Sequence, residues 1–141
     1  MKKILLFIPV FVCFCQSIPS GLTNRYDVTS GETVEAKISV KNASDQIQRY
    51  YVKKKDYLFF ADGSNIYGEP GKIERSNANW YELPEFIIVN PEDTYELLFD
   101  IKVPDNSSMN GTYWSMIKIG KDREYGKELE DYSLGLSIVT E

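Results

Sequence analysis

Carboxylates are the residues with which this chain could do acid–base chemistry. It contains 21 Asp and Glu, two cysteines and no histidine. Without histidine there is no Ser–His catalytic pair, and zinc and copper lose their commonest nitrogen ligand. Both cysteines, Cys13 and Cys15, lie in an N-terminal apolar run that has the pattern of a cleaved signal. Its removal would exclude a cysteine nucleophile and a disulfide as well.

Four glutamates in loop-rich sequence are the candidates for enzymatic chemistry. A pair of carboxylates is the machinery of most glycoside hydrolases, so a small glycan-active enzyme is one alternative. Acidic side chains in polar loops are more often solvated charges. We therefore predict that the protein is not an enzyme; the four residues are Glu69, Glu74, Glu82 and Glu85.

One turn is rich in oxygen ligands of the kind that calcium prefers, with Asp62, Ser64, Asn65 and Glu69 close together. The spacing departs from the EF-hand loop, in which ligands alternate and a Glu closes the site. Asp and Asn also form such turns without metal, by hydrogen bonding to their own backbone. We expect no metal and no cofactor.

The segment between Phe60 and Trp80 is the strongest candidate for recognition. It is long for a connection in a small domain, and long loops tend to carry function. It combines flat rings with amide groups, which suit a sugar or a peptide backbone. The competing interpretation is that Trp80 closes one end of the core. The candidate recognition residues are Asp62, Asn65, Tyr67, Asn77, Asn79 and Trp80.

Strands must position these residues, because period-two alternation dominates the chain. Apolar and polar residues alternate over residues 34–40, 95–103 and 132–138, which predicts strands with one buried face. In these strands we expect Phe99 to be buried and Lys37 to be exposed. Three further stretches are rich in strand-forming residues: 47–60, 85–89 and 111–119.

Two details of these stretches lead to specific expectations. Lys53, Lys54 and Lys55 interrupt the stretch 47–60, so we expect a bulge or an exposed end there. Trp114 lies in a strand-rich stretch and is expected to be a core residue.

Turn chemistry separates the strands, and no window shows a helical stripe of useful length. Ser30-Gly31, Asp62-Gly63 and Pro70-Gly71 are among the dipeptides that mark bends. The charged residues 121–131 are expected to form a solvated connection. The sequence therefore predicts an all-β chain that folds as an antiparallel β-sandwich, in a single domain over residues 22–141.

The N-terminus has the pattern of a secretory signal. Lys2 and Lys3 precede an apolar run over residues 4–15, which is too short for a membrane anchor. Cys13 and Cys15 supply small residues for signal peptidase, so we predict a signal peptide of residues 1–15. Lipidation of Cys15 is a weaker alternative, and a retained anchor is weaker still. The mature chain would be extracytoplasmic (in the periplasm, at the cell surface or secreted) with no integral membrane segment.

Net charge argues against a polyanionic partner. Loss of Lys2 and Lys3 with the signal takes the formal net charge from −5 to −7. Such a chain repels nucleic acid and anionic membrane surfaces unless its charge is locally segregated. We predict that it does not bind nucleic acid.

A set of short motifs in a fixed order resembles a known family. The most distinctive is the run from Gly111 to Met116, which reads Gly-Thr-Tyr-Trp-Ser-Met. The chain is similar over residues 25–141 to the immunoglobulin-like domain of bacterial WxL-type surface proteins, the peptidoglycan-binding type, and of related envelope proteins. The resemblance implies an immunoglobulin-like β-sandwich at the cell envelope that binds peptidoglycan, another glycan or a surface protein. Other segments that carry it are residues 55–57, 61–65, 67–71, 75–80, 91–94 and 103–105.

These observations favour a non-enzymatic module of the cell envelope or surface that binds a protein or a cell-wall glycan. One alternative is a periplasmic pilus-type chaperone-like domain, in which Arg25 is a candidate for holding a client carboxylate. That role implies a second domain, which a partner chain would have to supply. The small glycan-active enzyme is the other alternative.

The exported protein is expected to begin at Gln16, directly after the small residues at positions 13 and 15. Measurement of its intact mass checks this. An N-terminus that still carries Lys2, or a diacylglycerol on Cys15, would contradict it.

Overall fold

The computed structural model of the chain describes residues 23–121 in full and residues 134–140 as backbone. The predicted signal peptide, its cleavage site before Gln16 and almost all of the charged connection over residues 121–131 lie outside this part. In the described residues no helix is long and apolar enough to cross a membrane.

In the described part of the chain, eight strands form two sheets. In the large sheet the strand order is β1-β8-β7-β3-β4, and β5 also pairs with β3. The small sheet consists of β2 and β6. All pairs are antiparallel except β1 with β8, which is parallel. The strands are β1 (Thr23–Tyr26), β2 (Thr33–Lys41), β3 (Gln48–Phe59), β4 (Asn65–Gly68), β5 (Phe86–Val89), β6 (Thr94–Lys102), β7 (Tyr113–Lys121) and β8 (Leu134–Thr140).

The predicted alternation sets the register of the small sheet. Ala36 lies opposite Phe99, and Ile38 lies opposite Leu97, with all four side chains buried. The intervening side chains face solvent because a strand turns successive residues to opposite faces. The core is made by the inner faces of both sheets, and the predicted all-β single-domain sandwich is confirmed.

The expectation of a bulge or an exposed end at the three consecutive lysines is wrong, because β3 continues through them to Phe59. Lys53, Lys54 and Lys55 pair without interruption with residues 116–118 of β7. Lys53 and Lys55 lie on the outer face of the sheet, where the Lys55 ammonium group forms an ion pair with Glu69 at 3.4 Å. Lys54 lies on the inner side, and its ammonium group donates a hydrogen bond of 2.8 Å to the carbonyl oxygen of Tyr81. Long aliphatic stems let a lysine line a sheet while its charge reaches a polar partner.

Phe99→Ala should lower the free energy of unfolding by on the order of 3–5 kcal/mol, because it leaves a cavity between the two sheets. Lys37→Ala should change it by about 0.5 kcal/mol, since its ion pair with Glu96 (3.0 Å) is exposed. Urea unfolding of both variants checks this. Similar losses for the two would mean that the register of the small sheet is shifted by one residue.

Candidate functional site

The first half of the predicted recognition segment is a β-hairpin rather than an open loop. Asn65 pairs with Phe59, and Tyr67 pairs with Tyr57, so β4 extends the edge of the large sheet. The turn is closed by Asp62, whose carboxylate accepts hydrogen bonds from the Ser64 hydroxyl (2.7 Å) and amide (2.9 Å). These two bonds lower the pKa of Asp62. One oxygen of this carboxylate thus stabilises the turn in the way that Asx turns do without metal.

The second half of the segment is held by a buried carboxylate of β3. Asp56 has no exposed surface. It accepts hydrogen bonds from the backbone amides of Gly71 (2.9 Å), Lys72 (2.6 Å) and Ile73 (2.9 Å), and from the Ser76 hydroxyl. Gly71 has a φ of 74°, and a Cβ atom there would overlap the Asn79 amide. Glycine is therefore required for the chain to approach Asp56 in this way.

Opposing effects act on the pKa of Asp56. Burial raises the pKa, because it disfavours the charged form. The hydrogen bonds from Ser76, Ile73, Gly71 and Lys72 lower it, and together they outweigh burial, so the net shift is downward. The carboxylate is therefore the stable form in the folded protein at neutral pH, although no Lys or Arg among the described residues forms an ion pair with it.

Two of the predicted recognition residues lie inside the protein. Asn77 is fully buried, and its side chain accepts a hydrogen bond from Ser115 and donates one of 3.2 Å to the carbonyl oxygen of Tyr113. The Ser115 hydroxyl also bonds to the Tyr81 hydroxyl at 2.7 Å, and burial raises the pKa of Tyr81. Trp80 is 9% exposed and packs on the ring of Tyr113 with centroids 4.9 Å apart.

Trp80 therefore belongs to the hydrophobic core, as the interpretation that competed with a recognition role expected. The loop presents the other four candidates to solvent: Asp62, Asn65, Tyr67 and Asn79. A recognition role for the segment depends on these four, and it stays a prediction.

Four aromatic side chains meet on the outer face of the large sheet, and we call them the aromatic cluster: Tyr57, Phe59, Tyr67 and Trp114. The ring of Tyr57 lies 6.0 Å from that of Phe59 and 5.6 Å from that of Tyr67. Phe59 also contacts Trp114 at 6.1 Å. Phe59 is 65% exposed and Tyr67 is 45% exposed. Of these four residues, sequence reasoning selected Tyr67 alone.

The expectation that Trp114 is a core residue is wrong. In β7 the inner face carries Ser115, Ile117 and Ile119, so the even-numbered residues face outward. The Trp114 indole N–H donates a hydrogen bond of 2.7 Å to the carbonyl oxygen of Tyr57, which fixes the ring on the outer face. Lys118 is a charged residue on the same face of the strand as Trp114 and Met116. Its charge was the sequence signal that the even-numbered residues of β7 face outward.

No family model matches the chain, and no curated protein matches it either. Solved structures share its fold at low sequence identity. The PapD-like domain 7 of human CEP192 is 11% identical with a TM-score of 0.55, over 100% of this chain and 95% of that chain. A family 123 glycoside hydrolase from Clostridium perfringens is 12% identical with a TM-score of 0.57, over 86% of this chain and 22% of that one.

A bacterial pilus complex is similar as well. The CsuC–CsuE chaperone–tip adhesion subunit complex of Acinetobacter baumannii is 6% identical with a TM-score of 0.52, over 86% of this chain and 54% of that chain. These likenesses show the fold alone, and they confirm the predicted immunoglobulin-like β-sandwich. Because no family model matches the chain, its membership of the WxL-type family stays a prediction.

Asp56→Asn should lower the free energy of unfolding at pH 7 by on the order of 3 kcal/mol, because the amides of residues 71–73 lose a charged acceptor. The folded-state pKa lies below the usual 3.8. The stabilisation is therefore complete above about pH 4 and is lost as the pH falls through the folded-state pKa.

Urea unfolding between about pH 7 and pH 2 checks this, since the gap between wild type and Asp56→Asn should shrink below about pH 4. Asp100→Asn, on the exposed face of β6, is the matched control and should stay within about 0.5 kcal/mol. A gap that is constant down to the lowest pH would contradict the role of the Asp56 charge.

Proposed function

We propose that this protein is a non-enzymatic, extracytoplasmic binding module of the bacterial cell envelope or surface, and that it contacts a protein or a cell-wall glycan through the aromatic cluster. The extracytoplasmic part of the proposal rests on the signal-like sequence of residues 1–15. The binding part rests on the outer face of the large sheet. The two parts are independent and are tested separately.

The observation that carries the proposal is a group of rings held in contact with solvent. Exposed apolar surface of this kind is unfavourable for a soluble chain unless something covers it. The rings are also preorganised, because Tyr57 and Tyr67 lie opposite each other in the β3–β4 hairpin and Trp114 is tied to the backbone of Tyr57. A rigid aromatic surface loses little conformational entropy on binding. Tyr and Trp are also the side chains most enriched at binding hot spots.

The carboxylates that suggested an enzyme are placed differently from a catalytic pair. Glu69 and Glu82 form exposed ion pairs with Lys55 (3.4 Å) and Lys54 (3.3 Å). Glu74 and Glu85 are exposed too. A glycosidase keeps its general acid in an enclosed, apolar setting, which supports the non-enzymatic proposal.

A pilus-type chaperone is the second candidate, and the fold shared with the Csu complex favours it. Chaperones of this kind complete a client by adding a strand to its sheet, which needs a free strand edge. The outer edge of β8 is paired with β1 over Ser137–Thr140, so a client would have to displace β1 or use residues 134–136. Arg25 lies in β1, opposite Val139, and is exposed.

Tyr67→Ala and Phe59→Ala should each weaken binding by on the order of ten-fold, since each removes an exposed ring from the contact surface. Co-sedimentation with purified cell-wall glycan and crosslinking in native envelopes would measure this. Thermal unfolding should change little, because both side chains are largely exposed.

Leu98→Ala is the matched control, because it removes an exposed apolar side chain (56% exposed) from the small sheet. Equal binding by Tyr67→Ala, Phe59→Ala and wild type would refute the aromatic cluster as the contact surface. Crosslinking to one secreted subunit whose abundance depends on this protein would instead favour the chaperone.

A further inference from the structure

The small sheet has an edge along which none of the described strands pairs. Strand β6 pairs with β2 on one side, and its other side faces away from β2. On that other side the amide of Lys102 donates a hydrogen bond of 2.7 Å to the carbonyl oxygen of Trp80. The next amide, that of Val103, donates in the opposite direction, to Glu32 just before β2, at 2.8 Å. Because backbone groups alternate between the two sides of a strand, the even-numbered residues of β6 direct theirs away from β2.

Three of these even-numbered residues form what we call the free edge of β6: Glu96, Leu98 and Asp100. Within the part of the chain that the structure describes, their amides and carbonyl oxygens take part in no hydrogen bond. Three donors and three acceptors are therefore available to an added strand. The free edge ends before Lys102, because Trp80 already occupies the amide of that residue.

The side chains of the free edge have a simple order: a carboxylate, a leucine and a second carboxylate. All three point to the outer face of the small sheet, and Leu98 is 56% exposed. One oxygen of Glu96 forms an exposed ion pair of 3.0 Å with Lys37. Asp100 forms no ion pair with any described Lys or Arg. Charged side chains along an edge strand hinder unspecific pairing, and they restrict which segments can pair with it.

Charge argues against a second copy of this chain at the free edge. Two-fold antiparallel pairing centred on Leu98 would bring the two leucines together. It would also place Glu96 of each copy opposite Asp100 of the other, and like charges directly opposite are destabilising. A register that paired Glu96 with Lys102 would avoid this repulsion, but the amide of Lys102 is already bonded to Trp80. A segment with basic residues at the two outer positions has the complementary charge.

A groove of about 340 Å³ continues the free edge beyond Asp100. Asp100 and Lys102 belong both to β6 and to the wall of the groove, so a segment that pairs with β6 leads into it. The groove gives that segment room to leave the sheet beside polar side chains. Its lining residues are Asn79, Trp80, Tyr81, Glu82, Asp100 and Lys102.

We propose that the free edge of β6 pairs with an extended segment of another protein, in which two basic residues flank an apolar one in the order basic-x-apolar-x-basic. The period of two places these residues beside Asp100, Leu98 and Glu96. The order reads the same in both directions, so it fits antiparallel and parallel pairing. In such strand addition the backbone hydrogen bonds supply affinity and the alternate side chains supply specificity. This surface lies on the small sheet and is independent of the aromatic cluster.

Amide hydrogen exchange followed by NMR tests the free edge residue by residue. In the free protein the amides of Glu96, Leu98 and Asp100 should exchange faster than those of Leu97 and Phe99, which are directed toward β2. The probe is the peptide Thr-Lys-Thr-Val-Thr-Lys-Thr, which has the proposed order. At saturation it should slow exchange at the three edge amides by at least about ten-fold, since each gains a hydrogen bond.

Charge specificity is tested by titration with the same peptide and with a version that has Glu in place of both Lys. The Glu peptide should bind at least about ten-fold more weakly. Glu96→Gln/Asp100→Asn should weaken binding of the Lys peptide by about ten-fold, because both charge contacts are lost. Asp27→Asn/Glu74→Gln is the matched control. It makes the same change in net charge at exposed sites outside β6 and should leave affinity within about two-fold.

Two single variants separate this surface from its surroundings. Tyr67→Ala changes the aromatic cluster and should leave the affinity for the peptide at the wild-type value. Leu98→Ala keeps both carboxylates and every edge amide, so it should weaken binding by less than about five-fold.

Equal affinity for the Lys and Glu peptides would overturn the proposal, as would equal loss in the two double variants. Peptide binding that leaves exchange at the three edge amides unchanged would overturn it too, and so would absence of binding. Protection of the same amides without peptide, rising with protein concentration, would assign the free edge to a second copy of this chain instead.

Discussion

A single buried carboxylate links the core of this protein to its exposed surface. A charge without exposed surface is strongly unfavourable unless dipoles or opposite charges surround it, and Asp56 meets this requirement through three backbone amides and the Ser76 hydroxyl. Ser76 in turn forms a bridge with Trp114, whose amide donates to the carbonyl oxygen of Arg75 at 2.8 Å. The loop that Asp56 holds therefore fixes the start of β7, and with it the indole on the outer face. The core and the proposed binding surface depend on the same carboxylate.

The two faces of β3 illustrate how one strand can serve both purposes. Its inner residues, Tyr50, Val52 and Asp56 among them, build the core and hold the loop. Its outer residues are cations and rings, and two of the rings, Tyr57 and Phe59, contact Tyr67 of β4 and Trp114 of β7.

The shared sandwich by itself says little about function. Similar folds occur in a human CEP192 domain, within a Clostridium perfringens glycoside hydrolase and in a pilus chaperone complex of Acinetobacter baumannii. Function on such a fold lies in the surface that each sequence adds. In this chain the surface proposed for binding is the aromatic cluster on the outer face of the large sheet. The edge of β8 is relevant to the chaperone alternative, because β1 already pairs with part of it.

The sequence alone was sufficient for six of the eight described strands, the fold class and the buried face of β2 and β6, because alternation around residues such as Phe99 is a local property. It missed β1 and β4, which are only four residues long. It was insufficient wherever burial depended on distant partners. Asn77 was predicted to be an exposed amide, but it is buried and hydrogen-bonded to Ser115 and Tyr113. Trp114 was predicted to be a core residue, but the alternation of β7 places it on the outer face. The aromatic cluster, likewise, exists only where β3, β4 and β7 come into register. Side chains far apart in sequence become neighbours through tertiary structure, and no local pattern specifies which neighbours they acquire.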